Sequence, residues 1–259
     1  MLSTLASYRV MSTDMTSALQ RVSEQPLPAR EIKYFSETIQ SIKSVDEFIE
    51  NDRVFSFAMQ AFGLSEMTYA KAFMAKVLNE GVTADDSFAN TLSDTRYQEF
   101  ADTFNFEAFG TAATSFTKAN EGTVEKYIRQ TLEEQAGDSN EGVRLALYFQ
   151  RKASDIGSYL EILADPAIAE VVRTALSINS ATATLDLDKQ VELIAGKLDL
   201  EDFQDPLKVE EFLERFTSIW DINNSTNTTA SSAGLLFGGS AQFGIAEDVM
   251  LQIQQFRRT

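Results

Sequence analysis

Neither cysteine nor histidine occurs in the 259 residues of this chain. Without cysteine there are no disulfides, no thiolate nucleophile and no cysteine-ligated metal. Without histidine no side chain titrates near neutrality at its ordinary pKa, and the commonest general base and metal ligand are both missing. An enzyme built on this chain would work through carboxylates, Lys, Tyr, Ser or Thr. Cations are also few: 22 Lys and Arg face 39 Asp and Glu, for a net charge of −17. Phosphates would be repelled over most of such a surface, which argues against nucleic acid or an anionic membrane as partner. The ordinary use of such acidity is solubility. No run of roughly 18 apolar residues is present, so no membrane span is expected. The opening Met1–Met11 has no basic leader, and Arg9 interrupts its apolar positions, so it does not read as a secretory signal. These absences together lead us to expect a cytoplasmic protein.

Proline is scarce as well, and its four positions punctuate the chain. Pro26 and Pro28 read as a break between a helix over about 12–24 and another over about 29–42. Asp165-Pro166 and Asp205-Pro206 each read as an Asp N-cap followed by Pro in the first turn, where a missing N–H costs nothing. Alternating strand patterns and Asn-Gly or Asp-Gly hairpin turns are missing. Apolar residues instead recur at helical spacing, as in Val54, Phe57, Ala58, Ala61 and Phe62, with Gly63 placed to end that helix in a left-handed cap. Another helix over 66–79 would turn Tyr69, Phe73 and Val77 inward. A 44% hydrophobic, 24% charged composition suits a folded core. The fold class expected is all-α.

Shifted by 114 residues, the chain matches itself without a gap from Arg30 to Leu64. Arg30 pairs with Arg144, Tyr34-Phe35 with Tyr148-Phe149, Ser44 with Ser158 and Glu47 with Glu161. Ser44-x-x-Glu47 and Ser158-x-x-Glu161 both fit a capping box, in which Ser accepts the third N–H and Glu reaches back. The spacing predicts two tandem copies of one helical module. The organisation read is an N-terminal segment 1–11, repeat one 12–106, a linker 107–122, repeat two 123–222, a Ser/Thr/Asn/Gly-rich tract 223–240 and a terminal amphipathic helix 241–259. On that last helix Ile245, Val249, Ile253 and Phe256 share one face, a candidate contact for a partner or a second copy.

Candidate chemistry is thin. Ser115-Phe-Thr-Lys118 has the spacing of some acyl-transferring serine enzymes but lacks their partner motifs. Asp199, Glu201, Asp202 and Asp205 gather carboxylates without the glycine or spacing of a calcium loop, and read better as acidic helix starts. Gly238-Gly239 does not stand at a strand-to-helix turn, as a phosphate loop would require. No cofactor and no metal is expected. The polar-tipped residues kept in both halves, Arg30, Tyr34, Arg144 and Tyr148, are candidate binding positions. Their alternative is to bond neighbouring loops while their stems pack.

Several phrases carry a family resemblance. Leu5-x-Ser-Tyr-Arg9, Ala29-Arg-Glu-x-x-Tyr-Phe35, Phe48-x-x-Asn-Asp-Arg-Val-Phe-Ser-Phe-Ala-Met-x-Ala-Phe-Gly-Leu64 and Tyr69-Ala-Lys-Ala-Phe73 resemble an alphaproteobacterial family of unknown function. Its members are often encoded near flagellar genes, and the similarity covers most of residues 1–222. The resemblance implies an all-helical protein linked to motility, and assigns no catalytic residue. The expectation is a non-enzymatic helical protein acting by protein–protein contact in flagellar assembly or its regulation. One alternative is a structural component exported by the flagellar apparatus. Another is a carboxylate- and Lys-based enzyme or small-molecule binder in a cleft between the repeats.

Overall fold

In the computed structural model, residues 3–224 are described, and among them there are helices and 3-10 turns but no strand. In chain order the helices are α1 (Thr4–Thr13), α2 (Met15–Ser23), α3 (Pro26–Thr38), α4 (Val45–Glu50), α5 (Asp52–Ala61), α6 (Lys71–Glu80), α7 (Phe88–Thr91) and α8 (Thr95–Thr103). They continue as α9 (Phe106–Phe109), α10 (Glu121–Ser139), α11 (Glu141–Lys152), α12 (Tyr159–Ala164), α13 (Pro166–Ala175), α14 (Leu187–Ala195) and α15 (Pro206–Asn224). The tract and amphipathic stripe read in 225–259, Ile245, Val249, Ile253 and Phe256 included, lie outside the described residues.

Local hydrogen bonds explain why the chain bends where it does. Ser44 accepts from Glu47 N at 3.2 Å, and Ser158 from Glu161 N at 3.3 Å, opening α4 and α12. The return arm of each box reaches one residue further back than expected. Glu47 accepts from Lys43 N at 2.7 Å and Glu161 from Gly157 N at 2.8 Å, the residues before the caps. Asn51 and Asp165 then cap α5 and α13 through their side chains. Both of these helices close on the same 6→1 motif: Leu64 N donates to Met59 O and Ile178 N to Arg173 O, each at 2.8 Å. Residue bounds in this part of the two halves are offset by the same 114 positions, from the 3-10 turns Ile39–Ser41 and Ala153–Asp155 through α4/α12 to α5/α13.

The closing motif needs a left-handed residue, and here the halves differ. Gly63 has φ 68° and its counterpart Ser177 has φ 52°. A side chain in that region costs about 1–2 kcal/mol, less the unfolded freedom that Gly would bring. We therefore expect Ser177→Gly to stabilise by about 0.5–1 kcal/mol, and Gly63→Ser to destabilise by a similar amount. Thermal melts in which both substitutions move the midpoint the same way would refute this.

Two apolar cores result, both within the compact unit Met1–Asp221. The first gathers Phe35, Phe48, Val54, Phe57, Met74, Val77, Phe100 and Phe104 among others. At its centre the Phe48 ring meets Phe104 at 4.8 Å, Phe106 at 5.9 Å, Phe55 at 6.1 Å and Phe100 at 6.2 Å. The second gathers Phe149, Ile162, Ile168, Val171, Val172, Leu213 and Phe216, with Tyr8 brought in from α1. Long α10 serves both, placing Tyr127 in the first core and Ala136 in the second. Gly142 is required where α15 crosses α11, because a Cβ there would overlap the indole of Trp220.

In four places the structure adds to the expectations or differs from them. The break between α2 and α3 falls at Glu24–Gln25, just before the prolines, which lie within α3 with Pro26 in its first turn behind Gln25. The N-terminal segment is helical and docked. Thr4 is buried, its N–H donates to the Asp221 carboxylate, and Asn140 Nδ2 donates to its hydroxyl at 2.8 Å. The connecting stretch 107–122 is packed: Ala113 and Thr114 are buried, and Thr114 Oγ1 donates to Ile42 O at 2.8 Å. Finally, the helix expected over 66–79 starts only at Lys71. Tyr69 precedes it and is 81% exposed, while Val77 is buried as expected.

Candidate functional site

Where α8 and α11 face each other, an open cleft of about 400 Å³ is lined by Val82, Thr95, Gln98, Glu99, Asp102 and Lys152. Its charged groups come from two helices, α8 and α11. Glu99 stands on α8, pairs with Lys126 of α10, and accepts from Lys152 of α11 at 3.4 Å. Asp102, one turn further along α8, pairs with Lys118. A polar seam also joins α10 to α11 and α5. Buried Glu133 of α10 accepts from Arg151 Nε and Nη2 at 2.8 Å each, and from Arg129 Nε at 3.1 Å. Gln60 of α5 donates to Glu134 at 2.9 Å. At the other end Arg96 pairs with Asp94 and donates to the carbonyl of Gly63.

Burial alone would raise the Glu99 carboxyl, but the hydrogen bond from Lys126 and the charge of Lys152 hold it below the ordinary carboxylate value. A carboxylate depressed in the folded state adds stability above its unfolded pKa and loses it as pH falls through the folded value. Glu99→Gln is therefore expected to cost stability at neutral pH and to narrow its gap from wild type as pH drops below about 4. Denaturant titrations between pH 7 and pH 3 with a constant gap would contradict the assignment.

The four candidate binding residues are not gathered in one place. Arg30 is exposed and pairs with its neighbour Glu31, while its carbonyl accepts from Arg53. Arg144 pairs with Glu141 in the first turn of α11 and lies against Gly137. The two tyrosines hold equivalent posts. The Tyr34 hydroxyl accepts from Asn51 Nδ2 at 3.4 Å, and Tyr148 donates to Asp165 Oδ2 at 2.6 Å. In both halves the tyrosine thus meets the N-cap of the second following helix. An arginine lies over each ring, Arg53 at 3.9 Å and Arg151 at 5.1 Å from the centroid. Burial, with the Asp165 charge, pushes the Tyr148 phenol up.

Other sequence candidates are used locally. Ser115 ends a 3-10 turn and Lys118 lies beyond it, so the pair does not share a helical turn, and Lys118 is held by Asp102. Asp199 caps the turn Leu200–Gln204, Asp202 pairs with Lys208, and Asp205 accepts from Leu207 N at 2.9 Å. Among the described residues no group of three or more acidic side chains is placed to hold a metal ion. The residues missed by sequence reasoning are Glu99, Lys126 and Lys152. They are far apart along the chain, and a lone Glu or Lys on an amphipathic helix carries no signal.

Helices alone, two cores and a charged seam define an all-α protein, and among the described residues no helix is long and apolar enough to cross a membrane. A family model described as "Protein of unknown function (DUF1217)" matches residues 61–209, more than half of the chain. The chain belongs to this family. It is also similar to a protein from Agrobacterium tumefaciens whose structure was determined by X-ray crystallography. The two are 47% identical with a TM-score of 0.78, over 86% of this chain and 97% of that one. Comparison with curated proteins gives no match.

Proposed function

We propose that this chain is a non-enzymatic helical protein that works by protein–protein contact in flagellar assembly or its regulation. The observation that carries the contact is an aromatic pair at the surface. Phe109 and Phe116 meet edge-to-face at 4.7 Å, yet are 51% and 44% exposed. Aromatic side chains are enriched at interface centres, and two adjacent rings facing water are unusual for a surface with no partner. The link to flagella rests on the family resemblance of the segments quoted above. The matching bounds, caps and tyrosine posts of the two halves support descent from one duplicated module. Arg30, Tyr34, Arg144, Tyr148 and the stripe Ile245, Val249, Ile253 and Phe256 belong to the same reading as further contact positions.

Tagged chain recovered from motile cells, with the culture supernatant assayed in parallel, tests this. Phe109→Asp with Phe116→Asp is expected to abolish a specific co-purifying protein and reduce swimming, without unfolding the helices. Unchanged capture and unchanged motility would overturn the reading. Recovery of the chain chiefly from the supernatant would favour an exported structural component instead. A small-molecule reading is favoured by the cleft at Glu99, whose volume falls in the range of ligand sites. Against it, the carboxylates and ammonium groups there are already paired with one another.

A further inference from the structure

The two cores are not equally covered. In the first half α6 packs against α4, α7, α8 and α9, and its Met74, Val77 and Leu78 are wholly buried. In the second half α14 leans mainly on α12. Of its apolar residues only Ile194 is buried. Leu187 is 52% exposed and Leu193 is 38% exposed, and Leu185, just before the helix, is 41% exposed. On α12, Leu160 is 53% exposed and lies one turn before Leu163, which shares a small notch with Leu193. Large apolar side chains scattered singly need no explanation, but four on or beside two helices that pack against each other form a patch.

Charge decides what fits over it. Exposed acids flank the patch: Glu161 on α12, and Asp186, Asp188 and Glu192 at and along α14. Lys189, the one base within 186–195, pairs with Asp186 at 3.7 Å, and Arg173, which lines the notch, donates to Gln190 Oε1 at 3.5 Å. A second copy would bring the same acidic rim, and a net charge of −17, to a symmetric contact and be repelled. We propose that the α12–α14 face docks a basic amphipathic helix of a partner protein, its apolar side against Leu160, Leu187 and Leu193 and its Lys or Arg side toward the acidic rim. This rests on the protein-contact reading above and assigns the kind of partner segment to a surface of its own.

The probes are two designed peptides of roughly 18 residues, long enough to hold a helix on contact, one patterned with Leu and Lys and the other with Leu and Glu. Fluorescence anisotropy with the full chain is expected to show saturable 1:1 binding of the Leu/Lys peptide and none of the Leu/Glu peptide. Leu193→Glu is expected to weaken that binding by about tenfold or more, the loss of one covered Leu. This substitution also makes the surface more acidic. Unspecific attraction to a negative protein would therefore strengthen, and binding that is unchanged or tighter in the variant overturns the proposal. Leu160→Glu, on the other helix, repeats the test should Leu193→Glu lower the melting temperature. Self-association of the wild-type chain in sedimentation, lost in Leu193→Glu, would assign the face to a second copy and overturn it too. If the Phe109/Phe116 variant loses its partner while peptide binding ignores Leu193, this site fails and the contact reading stands. The reverse pattern removes the aromatic pair and keeps this site.

Discussion

Replacing Glu133 with Ala is expected to destabilise the fold by about 3–5 kcal/mol, the usual result of removing one member of a buried charge cluster. The carboxylate is 1% exposed and receives three N–H groups, one from Arg129 and two from Arg151. Its removal strands two guanidinium groups between the cores, with only Leu147 O and Gln130 Oε1 left as acceptors. Next along the chain, Glu134 takes bonds from Gln60 and Gln130 at a half-buried position, so Glu134→Ala should cost under about 1 kcal/mol. Adding Arg151→Ala to Glu133→Ala should cost less than the two single effects combined, because the orphaned cation goes with it. Urea denaturation of the four variants checks this. Equal losses at 133 and 134 would remove the seam from the list of stabilising features.

Phe48→Ala is expected to cost a further large amount, about 3–5 kcal/mol. The ring is wholly buried and touches four others, so truncation removes both its own transfer free energy and one side of each aromatic contact. Its counterpart 114 residues on, Ile162, is equally buried but carries no ring, and Ile162→Val should cost only about 0.5–1.5 kcal/mol. Phe48→Leu should fall well below Phe48→Ala, since most of the volume is kept. Midpoints shifted at constant denaturant slope would attribute the loss to the native core; a loss under about 1 kcal/mol for Phe48→Ala would mean that the aromatic cluster repacks freely.

What could be read from the amino acids was local. Ser44, Ser158, Asp165 and Asp205 reveal helix starts because each cap is a bond across two or three residues, and its spacing is visible in the string. Gly63 reveals a helix end for the same reason. The left-handed Ser177 was hidden, since only its match to Gly63 marks it. Tyr69 misled because helical periodicity runs through a break that Ala70, a cap without a side-chain acceptor, does not announce. Helix α1 was missed because Ser and Thr interrupt its apolar pattern, and its buried face depends on Asn140 and Asp221 far along the chain. The candidate site was the least legible part. Glu133 and Glu134 are identical neighbours in sequence, and only the approach of α11 decides which one is enclosed.

Helix α10 has a consequence for how this molecule comes apart. Its 19 residues run from the first core into the second, with Tyr127 in one, Ala136 in the other and Leu132 between them against Ala18 and Val22 of α2. Melting either core strips one wall from the helix that the other core also needs. The halves are therefore thermodynamically coupled through a shared strut. By this arrangement the two cores melt as a single cooperative unit.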